Sequence, residues 1–145
     1  MYFVDREKIE ETLQYFEDKV RLFKSTANWE TEIEQLALER IAHTIIESIL
    51  DVGNAMIDGF IMRDPGSYED IVDILTDEKV ITEDMAKSLL KFILFRKNLV
   101  QQYVNVEHKQ LLDTILECLA SLEKFPTKIR EYLINELGPV SAFKS

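Results

Sequence analysis

At 145 residues the chain has the length of one domain, and 46% hydrophobic residues suffice for a core without staples. A balance of 17 basic against 27 acidic side chains gives a net charge of −10. That charge repels phosphate backbones at long range, so DNA is not expected as a partner and any RNA site needs a local basic pocket.

Only 4 Gly and 3 Pro are present, which points to a mostly helical fold. The single cysteine, Cys118, lies among apolar residues and reads as a small core hydrophobe; disulfides and zinc are excluded within one chain. The opening MYFVDREKIEE becomes charged too early for a leader, and no apolar run approaches the roughly 20 residues that span a bilayer. A soluble, cytoplasmic protein with no membrane partner is expected.

Asp5 is placed to cap a first helix, whose buried face is marked at threes and fours by Ile9, Leu13, Phe16, Val20 and Phe23. That helix is expected to end near Lys24. A second, long helix is predicted over Glu30 to Asp58, with Ile33, Leu36, Ala37, Ile41, Ile45, Ile49, Val52 and Met56 inward.

Along its flank run Glu39, Arg40, His43, Glu47, Asp51, Asn54 and Asp58. This is either a solvated face laced with local ion pairs, or Glu47, Asp51 or Asn54 leans toward Arg96 and supplies its partner. His43 with Glu47 and Asp51 is common by chance, and no metal is assigned to it.

The pattern breaks from Gly59 to Gly66. Ser67, with Asp70 at the third helical position, then caps a short helix from Tyr68 to Asp77. Thr82 caps the next segment, with Glu83 and Asp84 where the helix dipole favours them. Its apolar stripe Met85, Leu89, Phe92, Leu99, Tyr103 predicts one helix from Thr82 ending near Tyr103 to Asn105.

A last helix is expected from Val106, broken or kinked at Pro126 and stopped by Gly138-Pro139. The expected architecture is all-α, an antiparallel up-and-down bundle of four long helices plus short ones. Residues 1–138 form a single helical-bundle domain in this reading, and 139–145 a short tail.

Arg96 falls on the seam of the fourth helix. A guanidinium stays charged at neutral pH, so it needs either a snorkelling path to water or a carboxylate, carbonyl or wet cleft. The chain has no glycine-rich phosphate loop and no HExxH, and neither histidine adjoins a cysteine nucleophile.

From Arg96 the chain reads Arg96-Lys97-Asn98-Leu99-Val100-Gln101-Gln102-Tyr103. This resembles the HepT-like signature of the HEPN superfamily, in which an arginine is followed after four residues by histidine, one further residue and tyrosine. The run Asp51-Val52-Gly53-Asn54, the order of helices and the chain length also match, so nearly the whole chain is covered.

The resemblance implies a bacterial toxin component: a homodimer whose motif helices face one another and which cleaves RNA without a metal or other cofactor. It casts Arg96 as the group that holds phosphate charge. It also implies a minimal nucleotidyltransferase antitoxin that places AMP on the tyrosine, here Tyr103, and puts Lys97 and Asn98 at binding positions.

Gln101 stands where the family has histidine. An amide cannot exchange a proton near neutral pH, and loss of general acid–base catalysis removes about two to four orders of magnitude in rate. His108 is the nearest histidine in sequence, either a substitute proton carrier or an exposed helix-start residue. The chain is therefore read as a weakened toxin-type ribonuclease or as an inactive dimeric module that binds a nucleotide or a nucleotidyltransferase.

Overall fold

The computed structural model describes residues 2–139. Among them lie six helices and no strand: α1 (Arg6–Ser25), α2 (Glu32–Gly59), α3 (Tyr68–Asp77), α4 (Glu83–Ile93), α5 (Phe95–Val100) and α6 (His108–Leu137). The segment from Val140 to Ser145 lies outside the described residues. No helix is long and apolar enough to cross a membrane.

Each early helix starts where a short polar side chain satisfies a free backbone donor. Asp5 accepts from the Lys8 N–H at 3.0 Å, and Ser67 from that of Asp70 at 3.0 Å. Thr82 accepts from the Met85 N–H at 3.2 Å. The second helix begins two residues later than the sequence suggests, because Thr31 and Glu34 form a reciprocal capping box.

The fourth rod is not the continuous helix that the apolar stripe predicts. It is interrupted at Leu94, although Leu94 keeps helical angles and its N–H still reaches the Leu90 carbonyl at 3.2 Å. The larger correction is at the far end, where helix stops at Val100 and residues 101–107 form a turn. Asn98 explains this: its amide donates to the Gln102 and Asn105 carbonyls, and its Oδ1 accepts from the Glu107 N–H. A side chain that serves loop backbone competes with further helix.

Pro126 does not break α6. It sits buried inside the helix, which runs on past it to Leu137. Gly138 ends the helix with φ 81°, a left-handed angle that suits glycine.

The first two helices form an antiparallel hairpin: the Phe3 N–H bonds the Gly59 carbonyl, and Phe23 stacks on Trp29. Helix α6 returns along α1. Arg130 there grips both Glu10 and Glu17, while Arg6 Nη1 donates to the Gly138 carbonyl at 2.8 Å. Arg130 lowers the Glu10 pKa and is itself held more firmly protonated by the two carboxylates.

Phe16, Ile45, Ile49, Phe92, Ile115, Leu122 and Phe125 fill one core. Cys118 is 1% exposed within it, and burial pushes its thiol pKa up to about 12.

Part of the expected inner face of α2 is not inner. Ile33 is 80% and Leu36 56% exposed, and Ala37 is exposed as well, because the first turns of α2 lack a covering element among the described residues. Further along the helix, Gly53 permits the close approach of α3. A Cβ built there would stand 2.4 Å from Ile71 Cγ2, the stiff branch of a β-branched side chain. Gly53→Leu is expected to cost about 1–3 kcal/mol through overpacking, read as a lower urea midpoint. An unchanged midpoint would show that α3 can yield.

Candidate phosphate-gripping site on α2 and α5

Arg96 lies on the first turn of α5 and turns toward α2. Its Nε donates to Glu47 Oε1 at 2.5 Å, and its guanidinium carbon lies 4.3 Å from the centre of the Tyr68 ring. The arginine is thus held on one edge by a carboxylate and on one face by an aromatic quadrupole. Neither Nη1 nor Nη2 has a hydrogen-bond partner among the described residues. The Glu47 hydrogen bond holds the guanidinium still more firmly protonated.

The flank of α2 therefore supplies the partner that Arg96 requires. Its side chain is 21% exposed, so it neither snorkels freely nor lies sealed in the core. His43, one turn back on α2, places Nε2 3.7 Å from the same Glu47 oxygen.

One turn ahead, Asp51 has its pKa raised, first by loss of water and then by the neighbouring charge of Glu47. Lys8 and Arg96 oppose that rise. A cleft of about 340 Å³ opens beside these groups, lined by Lys8, Tyr15, Thr44, Glu47, Ser48 and Asp51.

The other motif residues separate into distinct environments. Gln101 is exposed at the end of α5, and Tyr103 is 66% exposed in the following turn. Lys97 is also exposed. Asn98, read as a binding residue, spends its amide on the turn.

His108 does not face Arg96: its Nε2 lies 2.7 Å from Glu39 Oε2, two turns away along α2. Asn54 is exposed and makes no side-chain hydrogen bond among the described residues. No group of three or more His, Cys, Asp and Glu among those residues is placed to hold a metal.

The model of the family described as "Ribonuclease HepT-like" matches residues 4–129, a span that includes every residue of this cluster. The chain belongs to the HepT-like family. It is 58% identical to "Putative RNase YutE" of Bacillus subtilis (strain 168) over 144 residues, covering 99% of this chain and 100% of that protein. The solved structure of YutE, described as a cytosolic protein of unknown function, superposes with a TM-score of 0.95 over the same shares.

Two more distant structures share the HepT-like fold. A toxin-antitoxin structure with AMP-PNP has a TM-score of 0.72 at 15% identity, covering 86% of this chain and 96% of that one. The tri-AMPylated Shewanella oneidensis HEPN toxin, in complex with its MNT antitoxin, has a TM-score of 0.71 at 17% identity, covering 86% and 95%.

Sequence reasoning found Arg96 and named Glu47 among its candidate partners, but it missed Tyr68. The one available signal was that Tyr68 opens a helix directly after the Gly59–Gly66 break, and spacing cannot say what a turn of that kind faces.

The shift at Asp51 fixes a pH dependence. Its folded-state pKa lies above the unfolded value, so the native state holds the proton more tightly and stability falls as pH rises through that window. Asp51→Asn should therefore raise the melting temperature at about pH 7 and leave it unchanged at about pH 3, where both states are protonated. An equal gain at both pH values would assign the effect to something other than the charge.

Proposed function

We propose that the chain is a dimeric toxin-type RNA-binding protein with weak, metal-independent ribonuclease activity, in which Arg96 grips the scissile phosphate. One observation carries the reading: Glu47 and Tyr68 fix the guanidinium while both its η nitrogens stay available. Held in that way, the fork is ready before substrate arrives, and little reorganisation is needed as charge develops on the phosphate.

The expected reaction is attack of the RNA 2′-hydroxyl on the adjacent phosphorus, with Arg96 stabilising the charge on the nonbridging oxygens. Gln101, exposed at the end of α5, can hydrogen-bond a phosphate or ribose but cannot take a proton. The family description and the name of the 58% identical relative support a ribonuclease, and the two HEPN structures support a toxin with an antitoxin partner. Tyr103, exposed in the turn after α5, would be the acceptor of AMP from a minimal nucleotidyltransferase partner.

The second reading, a catalytically inactive module that binds a nucleotide or that partner, is favoured by Gln101 alone. Gln101→His decides between them: an increase of about 10²–10⁴-fold in RNA cleavage, with growth arrest on expression, supports a weakened ribonuclease. Arg96→Ala should abolish both cleavage and RNA binding. If native protein cleaves RNA as fast as Gln101→His, the proton carrier lies elsewhere in the chain, and if neither cleaves, only the binding module is left.

Of the motif-region residues expected to pair, Phe92, Phe95, Leu99 and Tyr103, Phe92 is fully buried and Leu99 nearly so, which leaves little of that surface for a partner. The dimer face would be built from Ile33, Leu36, Leu94, Val104 and Leu116, all more than half exposed. The Glu39–His108 contact brings the ends of α2 and α6 that carry several of these together. Sedimentation at micromolar concentration should give a dimer, and Ile33→Glu with Leu36→Glu a monomer. A native monomer would remove this part of the reading.

A further inference from the structure

Resting on the ribonuclease reading above, we propose that His43, on α2, is the proton-accepting catalytic residue of this chain, supplying across the bundle the imidazole that Gln101 lacks. Two contacts pin the segment from Arg96 to His108 along one face of α2: Arg96 on Glu47 and His108 on Glu39. Those two carboxylates are eight residues apart, about 12 Å along the helix. His43 lies midway between them on the same face, between the two points at which that segment is held.

His43 and Arg96 also converge on a single atom, Glu47 Oε1, at 3.7 and 2.5 Å. Arg96 Nε and His43 Nε2 therefore lie on one carboxylate oxygen as neighbours. His108, the other histidine of the described residues, is instead occupied at 2.7 Å by Glu39.

Glu47 does two things in this arrangement. It fixes the plane of Arg96, and it holds its carboxylate within ion-pair range of His43 Nε2, 3.7 Å away. His43 is partly exposed, its side chain at 28%, so substrate can reach it.

In the step itself the RNA 2′-oxygen forms a bond to phosphorus while the bond from phosphorus to the 5′-oxygen breaks. The 2′-hydroxyl proton passes to the imidazole of His43, and water returns a proton to the leaving 5′-oxygen. The products are a 2′,3′-cyclic phosphate and a free 5′-hydroxyl. No metal or redox partner enters the balance.

The test uses the full chain and a short RNA, with cleavage followed by gel and binding followed by fluorescence anisotropy on a 2′-O-methyl analogue that cannot react. His43→Ala should lower the cleavage rate by about 10²–10⁴-fold while the analogue binds as in the native protein. Added imidazole should restore part of the rate to His43→Ala but none to Arg96→Ala, which a merely structural role for His43 would not produce.

Cleavage by His43→Ala at the native rate overturns the proposal and leaves the ribonuclease reading intact. So does a loss that appears in His108→Ala instead. Native protein that binds the analogue through Arg96 yet never cleaves RNA also overturns the role of His43. Native protein that neither cleaves RNA nor binds the analogue overturns the ribonuclease reading itself.

Discussion

The contact between Arg96 and Glu47 is the constraint on which the rest of the site depends. A guanidinium one-fifth exposed at a helix seam must find an opposite charge, and α2 offers it from a carboxylate forty-nine residues away in the chain. That pairing docks the short α5 against α2 although α5 has only six residues and a single buried side chain of its own, Leu99. A segment so short has little helical stability in isolation, so its position comes from tertiary contacts. The same carboxylate sets the surroundings of its neighbours. It adds to the rise that burial gives the Asp51 pKa on one side and lies within ion-pair range of His43 on the other.

How much of this could be read in the sequence follows from the range of each force. Caps at Asp5, Ser67 and Thr82 were legible because capping is decided within three residues. The buried stripes of α1 and α4 were legible because periodicity reports a face directly. The inner face of α2 was over-read at Ile33, Leu36 and Ala37, since periodicity says that a face is apolar but not that an element covers it. The end of the fourth rod was misplaced because Asn98 acts on carbonyls and amides as far as nine residues ahead, a turn-building role that no helical template contains.

At the site, the arginine was legible and its setting was not. Glu47 was one of three partners that the spacing allowed, and only the packing of α5 on α2 selects it. Tyr68 reaches Arg96 across a loop, and His108 was drawn to Glu39 by the approach of α6. Each of these depends on where two separate elements end in space. The acidic surface that argues against long-range attraction of RNA is compatible with the site, because one fixed guanidinium whose η nitrogens have no partner among the described residues is a local feature and net charge is a global one.

Cys118 carries a consequence of a different kind. A thiol reacts through its thiolate, and with a pKa near 12 only about one molecule in 10⁵ carries that form at neutral pH while the helix stays packed. The sulfur is also shielded by the core around α6. Its chemistry is therefore silent in the native molecule and begins when the last helix lifts away, which makes Cys118 a native clock for opening of the bundle. The rate at which an alkylating agent consumes it measures the free energy of that opening, with no label or engineered residue needed.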